Sequence, residues 1–396
     1  MALDLAPPPA PAPLRAPAEA PRADRFRQLD SLRGLAALAV VLTHLLVIFP
    51  VMERDTWGEE GRLGVNLLKY TPLHSLWGGH EAVILFFVLS GFVLATSFLR
   101  PSGAPGYRDF LIRRVWRLYP AYLAVLAASI AAREAFAASR PDTLSDWVDA
   151  VWSAPASASE IVKHALLVPT FNDEVFDPVL WSLTHEMRIS LVFPLVMLAV
   201  VRLPWWQSLG GAVALSGFTF VVTRVAGHYD TFITAHYLLM FVAGALVALH
   251  RDTLVTAYRG LGRWVKIGLA AWVVLLYSWL HLLPTVGALH VGPTGDWLTT
   301  TAVAAIIVAA LGSVRLREGL LRRPLVFAGD ISYSLYLVHA VVLVSALSLL
   351  YGDVPTALIL VGVVPVSVGL AMLLRRYVEL PGIDVGRRLT RRRPAA

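Results

Sequence analysis

An arginine and a histidine stand eleven residues apart in the stretch LDSLRGLAALAVVLTH over residues 29–44. Eleven residues is close to three turns at 3.6 residues per turn, so Arg33 and His44 share one face of a helix, roughly 16 Å apart along its axis. Everything between them is apolar or small. A helix of this kind crossing a bilayer puts Arg33 at one surface and His44 near the middle. An ionisable group at that depth is costly to keep and points to function. A mid-depth imidazole is suited to general-base or nucleophilic work, and Arg33 to anchoring a phosphate or carboxylate. Arg33 as a topology charge and His44 as an interhelical hydrogen bonder are the competing explanations.

Three further stretches carry polar groups on apolar helices. In YRDFLIRRVWRLYP (107–120), Arg113 and Arg114 each neighbour Arg117 on a helix surface, and paired guanidiniums suit phosphate groups. The same arginines would also serve as positive-inside charge and lipid headgroup contacts. In WSLTHEMR (181–188), Ser182 and Glu186 share a face behind Trp181. Arg188, two residues on, does not face Glu186, so both need partners on other helices. In GDISYSLYLVH (329–339), Ser332, Tyr336 and His339 follow i, i+4, i+7 along one stripe. His44, Glu186 and His339 come from three separate segments and are expected at similar depth, the layout of a polar cavity inside a bundle.

The elements that must hold these groups are membrane helices. The chain has 396 residues, 57% hydrophobic and only 15% charged, with mean hydropathy +0.65. Soluble domains carry nearer 25% charged residues. Ten apolar segments are long enough to span, at about 32–51, 81–99, 115–135, 179–200, 206–226, 234–250, 264–284, 297–314, 328–350 and 355–376. The fold class is therefore all-α, a polytopic membrane helical bundle of about ten transmembrane helices. With the N-terminus inside, alternate loops gather most of the 34 Lys and Arg on the inner side, so both termini are expected in the cytoplasm. The net charge of +7 is thus explained by topology and does not imply nucleic acid.

Residues 1–28 are Pro/Ala-rich and read as a disordered tail, 29–385 as the transmembrane domain and 386–396 as a basic cytoplasmic tail. Two outer loops, about 52–80 and 136–178, are long, and the second carries Asp142, Asp146, Asp149, Asp173, Glu174 and Asp177 as the roof of a substrate cleft. Trp57, Trp77, Trp147, Trp152 and Trp181 are expected as an outer interfacial belt. Cysteine is absent, which excludes thiolate chemistry and disulfides, and no His/Asp/Glu cluster has metal-ligand spacing.

Six blocks in order then resemble the acyltransferase 3 family of bacterial integral membrane O-acyltransferases. They are residues 29–44, FFVLSGF (86–92), RRVWRLYP (113–120), WSLTHE (181–186), ISYSLYLVH (331–339) and YVELP (377–381). The resemblance implies an acyl-CoA donor, with acetyl-CoA the leading form, taken from the cytoplasmic side. The acceptor would be a hydroxyl on a glycan such as a polysaccharide, or on a similar molecule. It implies His44 as catalytic residue, either general base or transient acyl carrier, with Arg33 its partner and Glu186 in support. Arg113, Arg114 and Arg117 would hold the CoA side, and Trp181, Ser182, Ser332, Tyr336 and His339 would line the cavity. The location implied is the bacterial cytoplasmic (inner) membrane. Where many members carry an aspartate two residues before the Phe86-Phe87 pair, this chain has Ile84, and Glu81 a turn earlier is expected to substitute. A multi-pass transporter or flippase for a lipid-linked or glycan substrate is the alternative that ten spans and mid-depth polar groups also allow.

Overall fold

A computed structural model describes residues 26–53, 63–101, 103–139, 141, 144–226, 229–278 and 293–390. The expected N-terminal tail lies almost wholly outside these. The main helices, in chain order, are α1 (Arg27–Val47), α2 (Gly79–Phe98), α3 (Tyr107–Phe136), α4 (Leu180–Arg202), α5 (Trp205–Ala226) and α6 (Tyr229–Leu249). They continue with α7 (Arg263–Tyr277), α8 (Thr294–Gly312), α9 (Arg323–Leu350), α10 (Thr356–Leu374) and α11 (Leu380–Leu389).

Eight helices among the described residues are long and apolar enough to cross a membrane. The expected segment at 206–226 is also a helix, α5, and the one at 264–284 is helical over the 15 described residues of α7. The protein is a polytopic helical membrane protein. The last segment does not stop at 376. One π-helical turn over Arg375–Glu379 joins α10 to α11, so the basic tail expected from 386 begins inside a helix.

Small residues set the packing. α1 lies along α9, and α2 along α6. A Cβ at Gly34 would overlap the Gly329 backbone, and one at Gly329 the Asp30 carbonyl. Gly91 and Gly244 give α2 and α6 the same close approach, against Phe241 and Val88. Without a hydrophobic drive between helices in lipid, such close backbone contact is what holds them together. Phe26 and Arg387, near the two ends of the described chain, line one cavity at the same end of the bundle. That end carries the basic excess that the positive-inside rule expects on the cytoplasmic side.

The outer loops are folded. Short helices occupy Leu63–Tyr70, Asp146–Ala150 and Ala158–Leu166. Trp77 and Trp152 are buried within these loops rather than spread in a belt, because each indole finds a backbone carbonyl there: Leu68 for Trp77 and Phe176 for Trp152. A Trp N–H needs such a partner once buried.

Candidate active site

α1 and α9 cross at Gly34 and Gly329 and run the same way from there. His44 and His339 each lie ten residues beyond the crossing, about 15 Å up their helices. Equal offsets bring the rings to equal height, with His339 Nε2 3.1 Å from His44 Nδ1. The hydrogen-bond partners fix the tautomers. His339 Nδ1 lies 3.1 Å from the Leu335 carbonyl and must donate to it. That leaves His339 Nε2 as an acceptor. His44 Nδ1 lies 2.9 Å from the Val40 carbonyl and likewise carries its proton, shared between that oxygen and His339. The remaining nitrogen of His44, Nε2, keeps its lone pair. On its outer side the ring packs on Trp147, with centroids 5.0 Å apart. Glu53 holds the short Trp147 helix by accepting from the backbone N–H groups of Asp146 and Trp147 at 2.9 and 2.8 Å.

Below the histidine pair is a cavity of about 620 Å³, open toward the arginine-rich end. Its inner end is formed by Ser182, Ser332 and Tyr336. The Tyr336 ring lies 6.0 Å from His339 and its hydroxyl donates to the Val179 carbonyl at 3.0 Å. Ser182 donates to the Tyr336 oxygen at 2.7 Å. Val179 is placed by Asp177, whose carboxylate accepts from its N–H at 3.3 Å. Asp177 is wholly buried, and burial pushes its carboxyl up to about 8. Ser332 returns its hydroxyl to the Gly329 carbonyl.

The lower cavity is a layer of ion pairs. Arg114 donates to Glu186 at 2.5 Å and to Ser190 at 2.9 Å, and Ser90 donates to the same Glu186 oxygen at 2.9 Å. Arg33 pairs with Asp30 at 3.3 Å, Arg375 with Asp330 at 2.9 Å, and Arg117 loosely with Glu379 at 3.7 Å. Arg113 donates to the Thr390 hydroxyl at 2.6 Å.

These positions sort the expected site into two layers. His44 and His339 touch; Glu186 sits a turn below Ser182 and meets Arg114, Ser90 and the arginine layer instead. Arg33, Arg113, Arg114, Arg117, Ser182, Ser332, Tyr336 and Glu186 all line the cavity, whereas His339, expected there too, lies beyond its wall beside His44. Arg114 is buried against Glu186, so it is a partner of that carboxylate before it is a phosphate ligand. Trp181 faces away from the cavity and packs against His185 and Tyr237 at 5.9 and 5.7 Å. Glu81, expected to stand in for a carboxylate at the Ile84 position, is buried 3.8 Å from His74 and does not line the cavity. Arg188 joins α4 to Val168, Thr170 and Thr234. Trp147, Ser90 and Glu379 were missed as site residues. Ser90 and Glu379 lie inside two of the six blocks, whereas nothing local marks Trp147. Among the described residues no group of three His, Asp or Glu side chains is placed to hold a metal.

A helical bundle with an imidazole pair above an arginine-lined cavity is compatible with an integral membrane acyltransferase, and the comparisons with known proteins decide the class. The acyltransferase-domain family model matches residues 26–376, and the chain belongs to this acyltransferase 3 family. Among characterised proteins it is similar to the acyltransferase MdmB of Streptomyces mycarofaciens, 29% identical over 411 residues that cover 95% of each chain. No solved structure matches the chain. The protein is an enzyme that transfers acyl groups.

Proposed function

We propose that the protein moves an acyl group, acetyl by preference, from cytoplasmic acyl-CoA to a hydroxyl of a glycan or similar acceptor. The single observation that carries this reading is the histidine pair, with its unprotonated Nε2 on His44, set above a cavity that opens among arginines. The CoA end of the donor occupies the lower cavity and its thioester arm points toward Tyr336. Rotation of Tyr336 away from Ser182 and Val179 joins the cavity to the histidine pair. The acceptor hydroxyl comes from the outer side, past Trp147.

His44 Nε2 takes the hydroxyl proton as the oxygen attacks the thioester carbonyl carbon. The C–S bond then breaks, and the imidazolium returns the proton to the leaving thiolate. His339 holds the ring and spreads the positive charge that develops on it. Such base catalysis typically contributes about 10² to 10⁴ in rate, and bringing two substrates together in one site supplies much of the rest. Tyr336 is placed to donate to the thioester oxygen as it gains charge. Family membership favours this reading over a transporter or flippase.

The test is transfer of radiolabelled acetyl from acetyl-CoA in membranes containing the protein, with mass spectrometry of envelope glycans for the added acyl increment. Wild type should add the increment and His44→Ala should not, while still inserting. Transfer by His44→Ala at the wild-type rate would end the proposal.

A further inference from the structure

The C-terminal helix α11 lies beyond the residues that match the family, yet it forms part of the cavity wall through Leu380, Ile383, Asp384 and Arg387. It is seated there deliberately close to α3. Pro120 has no N–H, so the Trp116 carbonyl loses its helical partner. A Cβ at Gly382 would come within 2.8 Å of that carbonyl and of Pro120, and one at Gly386 within 2.8 Å of the Trp116 side chain. Arg113 of α3 then reaches across to the Thr390 hydroxyl at the end of α11. The π-helical turn at Arg375–Glu379 redirects the chain to make this possible, and such turns occur often at functional sites.

The charges around the cavity are not equally available. Arg33, Arg114 and Arg375 each have a close carboxylate partner. Arg100 lines the same cavity from the end of α2 with no carboxylate partner among the described residues. Among the described residues Arg113 is hydrogen-bonded only to Thr390, which is uncharged. Arg387 is 70% exposed and, among the described residues, shares only the weak, exposed contact with Asp384 at 3.3 Å. Three guanidiniums from three separate elements thus line one cavity, with Asp384 the carboxylate beside Arg387. Planar guanidiniums bind phosphate oxygens in pairs, and more strongly than they bind neutral acceptors.

We infer that α11 is the outer wall of the donor site, and that Arg387, with Arg100 and Arg113, holds the phosphate groups at the nucleotide end of the donor. This rests on the acyl-CoA reading above. It moves phosphate recognition outward from Arg114, which is kept by Glu186, to a rim that the C-terminal helix completes.

The experiment uses the full chain in neutral phosphatidylcholine nanodiscs, so that no lipid headgroup supplies net charge. The probe is adenosine 3′,5′-bisphosphate, followed by titration calorimetry. Arg387→Glu and Arg100→Glu should each weaken its binding by about tenfold or more, equivalent to about 1.4 kcal/mol. Arg387→Lys should lose less, and Arg388→Ala, next door but not lining the cavity, should bind as wild type. In turnover the Arg387→Glu variant should raise KM for acetyl-CoA by the same factor and leave KM for acetyl-pantetheine, which lacks the phosphates, unmoved. Equal affinity of Arg387→Glu and wild type for the probe overturns this inference alone. So does an effect of Arg387→Glu confined to binding of anionic phosphatidylglycerol vesicles. A wild-type protein that ignores both the probe and acetyl-CoA overturns the donor reading as well.

Discussion

His339 accepts the Nδ1 proton of His44 across 3.1 Å, and its own Nδ1 proton is tied to the Leu335 carbonyl. One imidazole thereby sets the tautomer of another, as a carboxylate does in many hydrolytic sites. On the proposed mechanism His339 acts on the reaction through His44, as a positioning residue. His44→Ala should remove transfer. His339→Ala should lower kcat by about 10²-fold while the KM for acetyl-CoA holds, and His339→Gln, which can still accept from Nδ1–H, should recover part of the loss. Radiolabelled acetyl transfer at saturating donor reads all three.

The heights of the two rings depend on the glycine crossing. Gly34→Leu would force α1 from α9 at the Gly329 backbone. A displacement of about 1 Å at the reacting groups costs on the order of 10²-fold in rate. The variant should therefore lose activity with His44 and His339 both intact, and Gly329→Leu should match it. Normal activity in both would show that the crossing does not set the histidine contact.

Glu186 and Arg114 form a partly buried pair, 21% and 8% exposed. Removing one member leaves the other charge without its partner, a smaller loss than the about 3–5 kcal/mol of a fully buried pair. Arg114→Met and Glu186→Leu should each lower the melting temperature in detergent, and the double variant should melt nearer wild type than either. Additive losses in the double variant would contradict a coupled pair.

Trp147 covers the outer side of His44, and Glu53 holds its short helix in place. Trp147→Ala should let water reach the reacting groups, so hydrolysis of acetyl-CoA without acceptor should rise several-fold. Glu53→Gln should give a smaller rise. Thiol release followed with a chromogenic disulfide is sufficient to measure both.

Asp177 gives a pH dependence outside the spans. Burial raises its carboxyl from 3.8 to about 8 in the folded protein. The folded state then holds a proton that the unfolded state releases, so stability falls as pH climbs from about 4 to about 8 and levels off above that. Asp177→Asn cannot ionise and should remove this part of the slope. Melting temperatures at pH 5 and pH 9 should differ less in the variant than in wild type.

Much of this protein was legible in its residues because lipid is a demanding solvent. Every backbone polar group in the bilayer must be satisfied within a helix or a closed barrel, so long apolar runs announce helices by themselves. Each of the ten expected segments holds a helix among its described residues, and the arginine bias suggests which ends share a side. The helical period also marked the stripe of Ser332, Tyr336 and His339. Partners across the bundle were a different matter. That Glu186 meets Arg114 and Ser90, that Trp181 faces away, that Glu81 turns to His74, and that α11 folds back on α3 depend on helix rotation and neighbour. Those are set by close contacts at Gly34, Gly329 and Gly382, between residues hundreds of positions apart, and no local pattern encodes them. The chain alone determined what crosses the membrane and at what depth; the tertiary fold decided which side chains meet there, because depth follows from counting along one helix while contact requires two.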